Sequence, residues 1–193
     1  MDLNALMSTI LSDETVNGVG KKTGASANEV RGVLGSALPL LLNGANAQAA
    51  NDATAAGFSG ALQQHAQNDT SVLSSFLGGV DLDDGAKIVA HLLGGSTAAQ
   101  TQTLAQQSGV SEAKTGNILS AAAPLMMSLI GQQAGSNNSS ANVAGLMGNL
   151  MGSGDMTGLL AGMLGGGSAQ SGAAQTGAGK KNGLLGKLLG LLK

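Results

Sequence analysis

The sequence predicts an all-α protein: a multi-helical domain of two helix-turn-helix-like repeats, followed by a flexible Gly-rich C-terminal tail. Three observations carry this expectation. Residues 24–42, GASANEVRGVLGSALPLLL, return 85 positions later as residues 109–127, GVSEAKTGNILSAAAPLMM. In register, Gly24 meets Gly109, Ser26 meets Ser111, Leu34 meets Leu119, Ala37 meets Ala122 and Pro39 meets Pro124. A repeat of this period sets the architecture before any local assignment is made. Second, helix-capping residues and glycine stops punctuate the chain at helical lengths. Third, hydrophobic residues make up 42% of the chain but aromatics only 1%. The core must then be Leu, Met, Ile, Val and Ala, which suits closely packed helices.

Taken in order, Asp2 can cap a first helix in which Leu3, Leu6, Met7, Ile10 and Leu11 have helical spacing. Ser12 restarts a helix with Asp13 and Glu14 in its first turn, where acids favour the macrodipole. That helix carries Val16 and Val19 and stops at Gly24, a typical residue just past a helix end. Ser26 and Glu29 then form a capping box that opens the next helix. Its apolar face is Val30, Val33, Leu34, Ala37, Leu38, Leu41 and Leu42. Pro39 lies inside it and pushes its ring toward the carbonyl four residues back. The residues there are small, Gly35 and, in the second copy, Ser120, so a bent rather than a broken helix is expected in each repeat.

A loop is expected at 43–52, then a helix holding Ala56, Phe58, Ala61 and Leu62, then a short helix over 70–77. After Gly78 and Gly79, Asp81 or Asp83 caps a helix carrying Ile88, Val89, Leu92 and Leu93 that ends at Gly94 and Gly95. Ser96 or Thr97 begins the second copy, with Gly109 as its turn and Ser111 as its cap. Gly57, Phe58, Ser59 and Gly60 also stand opposite Asn142, Val143, Ala144 and Gly145, so the repeat includes the helix after each proline helix. Leu146, Met147, Leu150, Met151, Leu159, Leu160, Met163 and Leu164 make one or two further helices, weakened by glycines that each cost roughly 1 kcal/mol against alanine. The domain expected is 1–164, with halves of about 1–80 and 81–164. A Gly/Ser/Ala linker follows at 165–179, and a basic amphipathic helix at 180–193.

Composition excludes several functions. The absence of cysteine removes disulfides, thiolate metal sites and cysteine nucleophiles. The start of the chain has no cationic region before an apolar run, so it does not read as a secretory signal. No stretch approaches 18 uninterrupted apolar residues, and a cytoplasmic protein is expected, with peripheral membrane association through the tail as the second location. Up to Gly179, eleven acids against five bases leave a charge of −6, whereas residues 180–193 carry four lysines and no acid.

Each candidate motif has a structural explanation. The pairs Val19–Val33 and Leu104–Ile118 follow helix-turn-helix spacing, which packs two helices across a tight turn whether or not DNA is touched. DNA binding needs basic and base-reading side chains on the second helix. These helices offer only Arg31 and Lys114 in an acidic body and then run into apolar ends, which argues against nucleic acid. GVGKKTG at 18–24 lacks the first glycine of a phosphate loop, since Thr15 stands there, and reads better as a helix end with Lys21 and Lys22 near its negative pole. Asp81, Asp83 and Asp84 resemble a calcium loop, but Gly85 comes one position early and Leu92 replaces the bidentate glutamate; a helix cap explains them. His65 and His91 have no second ligand nearby in sequence, and His91, beside Leu92, is expected at the edge of the core. No catalytic, cofactor or metal residues are assigned, no small-molecule substrate is evident, and enzyme activity is not expected.

The sharpest functional signal is the tail KKNGLLGKLLGLLK. On a helix, Leu184, Leu185, Leu188, Leu189, Leu191 and Leu192 share one face, with Lys187 and Lys193 on the other and Lys180 and Lys181 leading in. Such a segment engages a protein partner, a membrane surface or a groove of its own body.

Glycine turn, serine cap, valine/isoleucine–leucine pair and interior proline, each occurring twice, together with Ile88-Val89-Ala90-His91-Leu92-Leu93-Gly94 and the Gly-rich, leucine-bearing end, resemble the YidB-like bacterial family of unknown function. The resemblance covers roughly residues 1–165. It implies paired homeodomain-like helical units and brings no catalytic residues. The functional expectation is a non-enzymatic binding or scaffolding protein acting through apolar helical surfaces and the tail. The alternative is a nucleic-acid-binding regulator.

Overall fold

The computed structural model describes residues 3–135 and 140–152. Among these the chain is all-helical, with no strand. The helices are α1 (Leu3–Ile10), α2 (Asp13–Thr23), α3 (Ala27–Ala50), α4 (Ala55–Ala66), α5 (Leu73–Gly79), α6 (Leu82–Leu93), α7 (Thr97–Ser108), α8 (Glu112–Ala134) and α9 (Ser140–Gly152). A single 3-10 turn, Gly94–Ser96, joins α6 to α7.

The helix ends are where local chemistry puts them. Ser12 accepts from the Thr15 amide and opens α2; Gly24, at φ 71°, closes it in the left-handed region with its N–H on the Gly20 carbonyl. Ser26 and Glu29 make both halves of the capping box at the start of α3, with Glu29 accepting from the Ser26 amide at 2.7 Å. The second turn is built alike: Gly109 sits at φ 66° and Ser111 caps α8. There Lys114 replaces the reciprocal glutamate, so only the serine half of the box forms. Asp81 caps α6 by accepting from the Asp83 and Asp84 amides, as a helix cap rather than a calcium loop requires.

The expected loop at 43–52 is a correction: α3 runs unbroken through Pro39 to Ala50, leaving only residues 51–54 before α4. Ala45 and Ala49 are buried on the continuing core face, which holds the extra turns in place. The short helix expected at 70–77 spans Leu73–Gly79 instead, and Thr70 outside it donates from Oγ1 to Gln132 at 3.2 Å. His91 was expected at the core edge and is exposed, in the last turn of α6.

The centre of the domain is α8. From Ile118 to Gly131 it is buried without interruption, with α6 and α4 its principal neighbours. Close approach is achieved through glycines on three helices. At Gly85 in α6, a Cβ would stand 1.8 Å from the Ser120 carbonyl oxygen. That carbonyl is the one which Pro124, lacking an N–H, leaves without its helical donor. The bare Cα of Gly85 therefore covers the oxygen where Pro124 interrupts the ladder, a Cα–H···O contact of the kind that recurs at helix interfaces. Likewise a Cβ on Gly131 in α8 would stand 2.3 Å from the Leu62 carbonyl oxygen of α4, and one on Gly44 in α3 would stand 2.1 Å from the Leu92 carbonyl oxygen of α6. The leucines expected at 159–164 and the segments 165–179 and 180–193 lie outside the described residues.

Candidate functional site

Where α3, α4 and α6 converge over α8, a cleft of about 400 Å³ opens. Its wall is mostly carbon: Ala53, Gly57, Phe58, Ala61, Ile88, Leu92 and Met127, with Gln48, Thr54, His65 and His91 as the polar members. Helical spacing explains the α4 contribution, since positions 57, 58, 61 and 65 share one face. The α6 contribution, Ile88, His91 and Leu92, follows the same rule.

Two of the polar groups are already engaged in holding the walls together. Gln48 donates from Nε2 to the His91 carbonyl at 2.8 Å, tying α3 to α6. Thr54 donates from Oγ1 to the Gln48 carbonyl at 2.9 Å, tying the α3–α4 connection to α3. His65 is half-buried, and that burial holds its pKa below the usual histidine value, with Asp84 opposing the shift. Asn68 Nδ2 lies 3.4 Å from His65 Nδ1 and 3.0 Å from Ser128 Oγ, which itself donates to the Pro124 carbonyl at 2.8 Å. With Nδ1 as the acceptor, the neutral ring carries its proton on Nε2. On the other side of His65 lies a second, more polar cleft of about 480 Å³, which includes Asp81, Asp84 and Asn68.

Sequence reasoning treated His65 and His91 as isolated; the fold brings both to one cleft. Nothing in the 25 positions between them signals this, because it depends on how α4 and α6 lie on α8. Among the described residues, no group of three His, Asp or Glu side chains is placed to hold a metal ion. No described helix is long and apolar enough to cross a membrane.

The two basic residues on the presumed recognition helices are both engaged inside the domain. Arg31 pairs with Asp13 on α2. Lys114 donates from Nζ to Glu29 at 2.9 Å, with both side chains about two-thirds covered. Lys22, in the glycine–lysine stretch, donates to the Gly78 carbonyl at 3.2 Å from the last turn of α2, as a helix-end lysine does. The ten tail residues expected to make partner or membrane contact, from Lys180 to Lys193, lie outside the described residues.

Among the described residues, these features define an all-helical domain with an apolar cleft between α3, α4 and α6. The chain belongs to the bacterial protein family of unknown function DUF937, which matches residues 5–133 and of which YidB is a member. That stretch takes in α2 to α7 whole and nearly all of α1 and α8, and stops short of the 165 residues the resemblance suggested. No curated protein and no solved structure matches the chain.

Proposed function

We propose that this protein is a non-enzymatic binding or scaffolding protein, in which the α3/α4/α6 cleft receives apolar side chains of a helical partner segment. The observation that carries the reading is the cleft itself. Its volume, about 400 Å³, lies within the range of ordinary binding pockets. Its lining leaves few free polar groups with which to read a small polar molecule, because Gln48 and Thr54 are spent on backbone carbonyls. Apolar side chains at helical spacing fit such a groove through burial alone. Among the described residues Val72 is the one exposed large hydrophobic side chain; in the cleft wall Phe58, Leu92 and Met127 are buried and Ile88 is half-buried, so the cleft offers apolar recognition through its concavity rather than through an exposed patch.

We also read the body as two homeodomain-like halves. Three features support this. Helices α2–α3 and α7–α8 share their glycine turns and serine caps. Phe58 and Leu62 of α4 are buried, as are Val143 and Met147 of α9, 85 positions on. The Glu29–Lys114 pair joins equivalent positions, as contacts on a pseudo-twofold axis do. Nucleic acid is not the partner we infer, since Arg31 and Lys114 are tied to Asp13 and Glu29.

The test is a titration of the full chain with a leucine/lysine amphipathic peptide up to millimolar concentration, read at the methyl resonances of Ile88 and Met127. Shifts are expected, and a weaker response in Gly57→Phe, whose new side chain enters open space at the cleft wall. An absence of shifts, or an equal response in that variant, overturns the reading. In parallel, duplex DNA retarded in a salt-dependent way, and released by Arg31→Ala/Lys114→Ala, would favour a nucleic-acid regulator instead.

A further inference from the structure

We propose that the occupant of the cleft in the resting chain is the chain's own leucine-rich terminus, residues 184–192, docked in cis. This rests on the reading of the cleft as a receptor for apolar side chains.

Reach favours it. The last described helix, α9, ends at Gly152, and 31 residues separate that point from Leu184. Of these, residues 165–183 alone, rich in Gly, Ser and Ala, span roughly 25 Å at about 5–6 Å times the square root of their length. A domain of about 150 residues has a radius of gyration near 15 Å, so such a tether can reach any face of it. Because α9 packs on α3 and α4, two of the helices that build the cleft, the tether also leaves from their neighbourhood. A tether of this kind places the terminus at an effective concentration in the millimolar range, above that of ordinary competitors in trans.

Chemistry favours it too. Leu184, Leu188 and Leu191 recur at the spacing of groove-filling helices, and the groove they meet is formed by Phe58, Ile88, Leu92 and Met127. Six leucines within residues 184–192 are an apolar concentration of the kind that marks an interaction segment. Lys187 within the segment and Lys180, Lys181 and Lys193 flanking it add +4 opposite a body of −6, and exposed Asp52 adjoins Ala53 on the cleft wall. Docked this way, the terminus closes the cleft to partners and is itself withheld from them, so that a competing apolar surface must release both together.

The chain has no cysteine, so a single spin label can be placed on the full-length protein by Gly190→Cys. Cis docking predicts strong broadening of the Ile88 and Met127 methyls. Val30, 18 residues up α3 from Gln48 and thus roughly 27 Å away at 1.5 Å per residue, should be spared. The broadening should disappear with Leu184→Asp/Leu188→Asp and should not depend on protein concentration. Weak, uniform broadening overturns the proposal. So does broadening seen only when spin-labelled and isotope-labelled chains are mixed, which assigns the site to a second copy. Broadening that stays absent while the label partitions to anionic vesicles assigns the terminus to membranes and overturns it as well. A synthetic peptide of residues 180–193, added to the Leu184→Asp/Leu188→Asp chain, separates the two levels. If it shifts the cleft methyls while the spin-labelled chain with Leu184 and Leu188 intact shows no cis broadening, the receptor reading stands and the cis proposal falls; if neither occurs, both fall.

Discussion

Replacing Gly85 by alanine should destabilise the domain, although alanine is the better helix former. The new Cβ would stand 1.8 Å from the Ser120 oxygen, 2.6 Å from its carbonyl carbon and 3.0 Å from its Cα. All three are backbone atoms of the buried central helix, so no side chain can swing away. Relief requires α6 and α8 to separate by more than about 1 Å, and overpacking of this sort costs about 1–3 kcal/mol or more. Helix propensity returns about 1 kcal/mol. With the steric cost at its upper end, the net loss is about 2 kcal/mol. For a domain of this size that lowers Tm by roughly 4–8 °C, at about 2–4 °C per kcal/mol. Gly116→Ala is the control: it lies in α8 with nothing within 4 Å of a new Cβ, so propensity acts alone and Tm should rise by roughly 2–4 °C. Thermal unfolding followed by circular dichroism at 222 nm, cross-checked by calorimetry, measures both. A Gly85→Ala protein as stable as the parent would refute the close α6–α8 contact and the covering of the Pro124-freed carbonyl with it.

Other substitutions probe the buried and charged groups. The Ser26 amide, and after it Lys114, hold the Glu29 carboxyl at about 2 against 4.5. Because the folded pKa is the lower one, this stabilisation is complete above about pH 4.5 and is lost as pH falls toward about 2. Urea titrations of the parent and Glu29→Gln should therefore differ at pH 6 and converge near pH 2; a constant gap would show that proton linkage is not involved. Burial lowers the His65 pKa, so the unfolded chain binds the proton more readily and stability should drop as pH falls below 6.5. His65→Gln should flatten that part of the profile, and an unchanged slope would assign it to other groups. Thr115 is fully buried with no partner for its hydroxyl, at the position equivalent to Val30. Thr115→Val removes an orphan group whose cost is of order 1–3 kcal/mol and should raise the denaturation midpoint; a lowered midpoint would mean the hydroxyl has a partner.

The helix ends were legible because their causes are local. Ser12, Ser26, Asp81 and Ser111 each cap an amide two or three residues away, and Gly24 and Gly109 each supply a left-handed residue at a stop. Such bonds form within one turn of chain, so the residue pattern is enough to place them. The end of α3 was misplaced for a related reason. Asn43 and Gly44 look like a stop, whereas Ala45 and Ala49 are buried on the same face and carry the helix on to Ala50. Of the site, Ile88 and Leu92 were visible as an apolar stripe, but the cleft was not, because its walls come from four helices distant in sequence.

The sequence by itself determined that this protein is helical, that its two glycine-turn, serine-cap units are built alike, and that its charge divides between an acidic body and a basic end. Only the tertiary structure decided which copy lies at the centre. Residues 24–42 and 109–127 have nearly the same pattern, yet Arg31, Gly32 and Asn43 leave one side of α3 exposed while α8 is enclosed from Ile118 to Gly131. It likewise decided that Gly85 meets Ser120 and that His65 and His91 share a cleft. Capping is satisfied by neighbours along the chain, whereas burial depends on which surfaces remain when helices far apart in sequence have packed, and no local pattern encodes that choice.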